Sequence, residues 1–87
     1  MTADGRVSKA LFGNANLLSV AEAAAGFAGA FTGRALAAGA DLPDPVVTPI
    51  VRRLSEGRVI VLKREVGRSR EYEVVDGPFW DLIRSLA

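Results

Sequence analysis

The side chains in this sequence with the capacity for chemistry are cations and hydroxyls. Between Arg52 and Arg70 stand seven basic residues (Arg52, Arg53, Arg58, Lys63, Arg64, Arg68 and Arg70) against only Glu56 and Glu65. Guanidinium groups at this density suit a polyanion, because each can fork onto a phosphate or pair bidentately with a guanine edge. The plainer alternative is a solvated face of ordinary lysines and arginines, and charge alone does not separate the two. The net charge is only +1, so the distribution carries the signal rather than the sum. The sequence has neither Cys nor His. That excludes the usual zinc, copper and nickel ligand sets, and it leaves no Cys nucleophile and no His base. No Walker-type Gly-rich phosphate loop is present either. Glu71 and Glu73 alternate on one strand face, where they can sit side by side, but Lys63 and Arg64 on the neighbouring strand are their more natural partners. The expectation is a binding protein without enzymatic activity, metal or cofactor.

The cations need elements to hold them. Thr32 is a good N-cap for a helix over Gly33 to Ala38, and Asp41-Leu42-Pro43 makes a turn. Asp44 can cap the next helix, with Pro45 at its first position, where a missing N–H costs nothing. That helix runs over residues 44–55 and Gly57 stops it. Val59-Ile60-Val61-Leu62 is a β-branched run and reads as a strand, Glu71 to Val75 alternates and reads as the returning strand, and Gly67 supplies the hairpin turn between them. The hairpin tip is Val66-Gly67-Arg68-Ser69-Arg70.

Upstream, Met1 to Gly5 read as a loose terminus and Val7 to Phe12 as a short helix. Asn14 or Asn16 offers an N-cap for a helix with Leu17, Val20, Ala21, Ala24 and Ala28 on one stripe, widened by Leu18 and Ala25. Small residues on that stripe allow another helix to approach closely. Gly26 and Gly29 end it, and Ala30-Phe31 adds a short strand. Asp76-Gly77-Pro78 starts a last helix, Phe79 to Leu86. Helix, tight turn, helix and basic hairpin in this order predict a single α+β, mainly helical domain over residues 1–87. The fold expected is a winged helix-turn-helix with a two- or three-stranded antiparallel wing sheet and a C-terminal helix.

At about 100° per residue, Val46, Ile50 and Leu54 share a face of the second motif helix, flanked by Val47 and Val51. The opposite face carries Asp44, Thr48, Arg52 and Ser55. The first set is a core stripe, and the second is what DNA would meet. Arg52 can pair with guanine, and Thr48 can touch a thymine methyl or donate a hydrogen bond. Asp44 can accept from cytosine N4, although capping is its more common role. Pro49 falls inside this helix, where proline costs ~3 kcal/mol. Two readings stay open: a kink near the helix start, and a bend that adjusts entry into the groove.

In order along the chain, Leu36-Ala37-Ala38, Leu42-Pro43, Val46-Val47, Arg53-Leu54, Gly57, Gly67-Arg68, Tyr72 and Pro78-Phe79-Trp80 resemble small winged-helix transcription regulators of the ArsR/MarR-like kind. Leu11-Phe12-Gly13-Asn14 resembles the start of the first long helix in such proteins, so the likeness spans roughly Val7 to Leu86. It implies a homodimer that binds palindromic operator DNA, usually as a repressor, with helix 44–55 in the major groove and wing 63–71 on the backbone or minor groove. Carried over by position, Thr48 and Arg52 would read bases. Thr32 and Arg34 would meet phosphate at the start of the first motif helix. Lys63, Arg68 and Arg70, with Ser69 between the two arginines, would form the wing contacts. Contact with about six phosphates per dimer would give a log–log salt slope of about −5; the plainer reading is a hairpin kept soluble by charge. Two departures matter. Asp41 stands where many such proteins have Gly, a position Asp tolerates better than most residues. The Cys and His ligands of metal-sensing members are absent.

In the last helix Phe79, Leu82, Ile83 and Leu86 form one stripe and Trp80 lies off it. A chain of 87 residues is marginal alone, so the expected dimer interface combines Leu11, Phe12, Phe79, Trp80 and Ile83. The alternative packs Trp80 on Val7, Leu11 or Phe12 of its own chain. A competing function class is a winged-helix protein-interaction module without DNA binding, which the near-neutral charge and the prolines of helix 44–55 keep open. Ala21-Glu22-Ala23 resembles a signal-peptidase site, but Asp4 sits in the would-be basic region and Gly13, Asn14 and Asn16 break the apolar core. Glu22 and the weakly apolar Ala and Gly residues also fall short of a membrane span. The expected compartment is the cytoplasm. Operator, effector and the direction of regulation are left open.

Overall fold

The computed structural model describes residues 5–86. Residues 1–4, read above as part of a loose terminus, lie outside the described residues, and Gly5 is the first residue of a helix. The elements run α1 (Gly5–Phe12), α2 (Leu17–Ala25), β1 (Phe31–Thr32), α3 (Gly33–Ala40), α4 (Asp44–Glu56), β2 (Ile60–Val66), β3 (Ser69–Val74) and α5 (Pro78–Leu86). The strands form one antiparallel sheet in the order β1-β3-β2. The chain is a winged helix-turn-helix of α+β class: α3 and α4 are the motif, β2 and β3 are the wing, and β1 ties the wing to the helices. The sheet thus has three strands, with Phe31 opposite Tyr72 and Thr32 opposite Glu71.

One apolar core holds these elements together. Leu17, Leu18, Val20, Ala21 and Ala24 of α2 meet Leu36 and Ala37 of α3, Val47, Ile50, Val51 and Leu54 of α4, Phe31, Ile60, Trp80 and Ile83. The small residues of α2 let α3 come close: a Cβ built on Gly39 would meet Ala23 Cβ at 3.7 Å, in ordinary contact. Ala28 lies past the end of α2 and is exposed. The start of α2 is held from a distance. Ser8, buried in α1, donates to the Asn14 carbonyl at 2.6 Å and accepts from the Leu18 N–H at 2.8 Å. Asn14 Oδ1 accepts from the Asn16 N–H at 2.8 Å, while the Asn16 side chain makes no cap hydrogen bond.

The ends of the motif helices show how the local sequence works. Thr32 caps α3 by accepting from the Ala35 N–H at 3.1 Å. Asp41 ends α3 in the left-handed conformation (φ 55°), and the Leu42 N–H reaches back to the Ala37 carbonyl at 3.0 Å. The expected cap at Asp44 is not made. Pro43 holds the N-cap position, Asp44 is already helical, and no side chain caps the helix. Pro43 occupies that place because its fixed φ (−70°) presents its carbonyl to Val46 N at 3.0 Å. Helix α4 continues through Pro49 to Glu56 without a break. Gly57 is right-handed, and the left-handed residue after the helix is Arg58 (φ 62°). Arg58 takes that role because the Val59 N–H must return to the Leu54 carbonyl, at 3.1 Å.

Two of the five residues expected at a dimer interface are interior. Trp80 and Ile83 are fully buried within the chain. Trp80 donates from Nε1 to the Val59 carbonyl at 2.8 Å and stacks edge-on against Phe79 at 4.9 Å. A polar handle with a fixed acceptor drives this burial, since an indole N–H can enter a core once it is paired. Leu82, expected on the buried stripe, is instead 44% exposed. No helix among the described residues is long and apolar enough to cross a membrane.

Candidate nucleic-acid interface

A groove of about 600 Å³ runs between the motif helices and the wing tip. Thr32, Gly33 and Arg34 form its end at the start of α3. Thr48, Val51, Arg52, Ser55 and Glu56 form the α4 wall, and Arg68, Ser69, Arg70 and Tyr72 form the wing wall. Of the residues expected to contact DNA, Thr32, Arg34, Thr48, Arg52, Arg68, Ser69 and Arg70 are brought together here, although they come from β1, α3, α4 and the β2–β3 hairpin.

Asp44 and Lys63 are not part of the groove wall. Lys63 is diverted by a bulge. Leu62 lies opposite Tyr72 and Arg64 opposite Glu71, so Lys63 is an extra residue on β2. Its ammonium donates to Glu73 at 2.7 Å, and Arg64 pairs with Glu71 at 3.0 Å. These are the partners expected for the two glutamates. Glu73 borders a separate small recess formed with Phe27, Gly29, Asp76 and Arg84.

The cations are not equivalent. Arg70 pairs with Glu65 at 3.3 Å across the hairpin, with both side chains exposed; such pairs are worth only ~0–1 kcal/mol and yield readily to a phosphate. Arg53 points away from the groove and donates to the Phe12 carbonyl at 2.8 Å, holding α1 to α4. Among the described residues, Arg34, Arg52 and Arg68 form no ion pair. These three guanidiniums face the groove uncommitted. The Thr48 hydroxyl is not free in the same way. It donates to the Asp44 carbonyl at 2.9 Å, one turn back, so its methyl and its lone pairs remain for a ligand.

No family model matches the chain, and no curated protein or solved structure matches it.

The wing tip is set by a two-residue turn, Gly67-Arg68, with Val66 paired to Ser69. Gly67 has φ 60° and Arg68 does not share the positive sign, the pattern of a type II′ hairpin turn. Glycine at the first turn position thus lets the guanidinium of Arg68 stand at the extreme tip. Four groove residues, Gly33, Val51, Glu56 and Tyr72, lie outside the contacts expected from the sequence. Glu56 lies one helical turn beyond Arg52, so extending the angular count by one step would have found it. Tyr72 joins the wing wall from β3, which pairs with both β1 and β2, a placement no local pattern reveals.

Proposed function

We propose that the chain is a DNA-binding transcription regulator, with α4 in the major groove and the β2–β3 wing on the phosphate backbone. The observation that carries this reading is the groove in which Arg34, Arg52 and Arg68 stand without ionic partners on three different elements. Helix α4 has 13 residues, about 20 Å of rod, and a major groove about 12 Å wide admits such a rod. Arg52 would read a guanine edge, the Thr48 methyl would touch a thymine methyl, and Arg34 and Arg68 would meet phosphates on either side. Operators read by paired protomers are palindromic, and repression by occlusion is the expected outcome. Such a dimer would use Leu11, which is 56% exposed, with Phe12, Phe79 and Leu82. Phe12 and Phe79 already stack edge-on at 6.2 Å.

A titration of random-sequence duplex DNA by fluorescence anisotropy at two salt concentrations tests the reading. Binding that weakens steeply with salt, and by about eightfold per bound protomer at 0.1 M salt in Arg68→Ala, is expected. Absence of binding at low salt would sink it. The second reading, a protein-interaction module, rests on β2. It is the free edge of the sheet, and it exposes Val61, Leu62 and Val66, which offers an added strand a template.

A further inference from the structure

We propose that Glu56 is an electrostatic brake on the groove, a carboxylate that holds down its affinity for phosphate backbone so that occupancy depends on base contacts. This inference rests on the DNA-binding reading above. Three observations carry it. Among the described residues, Glu56 is the only acid lining a groove that also presents Arg34, Arg52, Arg68 and Arg70. Among the described residues it forms no ion pair, although Arg52 stands one turn before it. It is also the last residue of α4, where the negative end of the helix dipole disfavours a carboxylate. Every other glutamate of the wing region is neutralised: Glu65 by Arg70, Glu71 by Arg64 and Glu73 by Lys63. Glu56 therefore stands in the groove without a counter-ion, at a helix end whose dipole opposes a carboxylate.

A fixed anion in a phosphate-binding groove cancels part of the counterion release that drives non-specific binding. Removing it adds at most about one effective phosphate contact per protomer, which is up to about eightfold in affinity for each bound protomer at 0.1 M salt, with a correspondingly steeper salt slope. The experiment is an anisotropy titration of the full chain against a random-sequence duplex at several salt concentrations. It compares the wild type, Glu56→Gln and Asp81→Asn. Asp81 is on α5, remote from the groove and exposed, so its variant makes the same change in net charge at a distance. The expected result is binding about three- to eightfold tighter per bound protomer and a steeper slope for Glu56→Gln, with less than a twofold change for Asp81→Asn and unaltered far-ultraviolet circular dichroism for both. Equal effects from the two variants, or none from Glu56→Gln while the wild type binds, would overturn the brake and leave the DNA reading intact. Absence of binding by all three proteins at low salt would overturn both.

Discussion

At the scale of single residues, partners decide what a charge is for. Lys63 and Arg68 both belong to the wing, yet Lys63 is spent on Glu73 at 2.7 Å, whereas Arg68 stands at the hairpin tip and lines the groove. Arg68→Ala is expected to shallow the log–log salt slope by about 1 per bound protomer, while Lys63→Ala moves it by much less; an anisotropy salt series on both variants checks the contrast. The neighbours Arg52 and Arg53 divide in the same way. Arg53 is tied to the Phe12 carbonyl, so Arg53→Ala is expected to lower stability by about 1 kcal/mol in urea titration. Its effect on binding should be far smaller than that of Arg52→Ala. Adjacent basic residues in a sequence look alike, and only their partners separate a strut from a ligand contact.

At the scale of elements, α4 carries the largest local conflict. Pro49 lies within the helix, on its exposed side, where it lacks an N–H and crowds the preceding turn. The helix persists because Val47, Ile50, Val51 and Leu54 bury a continuous stripe, and burial of a Val, Leu or Ile side chain is worth about 1.5–3 kcal/mol each. Pro49→Ala is therefore expected to stabilise the domain by about 1–3 kcal/mol, read as an increase in the urea midpoint at constant slope. Loss of stability instead would mean that the native backbone of α4 is shaped to proline. The helix ends taught a related lesson. The left-handed residue after α4 is Arg58 and not the glycine before it, because the position is fixed by the return of the Val59 N–H to Leu54 rather than by where glycine happens to stand.

At the scale of the whole molecule, Trp80 joins the C-terminal helix to the base of the wing. The Val59 carbonyl accepts from Trp80 Nε1 at 2.8 Å and from the Val75 N–H at 2.9 Å. One acceptor thus fixes α5 and closes the sheet where β2 begins. Trp80→Phe removes the hydrogen bond and some volume, and is expected to cost about 1–3 kcal/mol, measured by thermal or urea unfolding. In a domain this small that is a large share of the total. The sequence by itself determined the order of the elements, the Thr32 cap, the turn after α3, the hairpin at Gly67 and the buried face of α4, although that face is centred on Val47, Ile50, Val51 and Leu54 while Val46 is only half-buried. These rest on periodicity, capping and turn chemistry, which act over a few residues. It also named most of the groove residues, because the exposed side of α4 and the hairpin tip follow from those same local rules. Tertiary structure alone decided that Trp80 is interior and tied to the Val59 carbonyl, that Ser8 holds the start of α2, that β2 carries a bulge at Lys63, and that Tyr72 reaches the groove. Each of these depends on which groups a distant segment brings within hydrogen-bonding or Coulombic range, and no pattern confined to neighbouring residues contains that information.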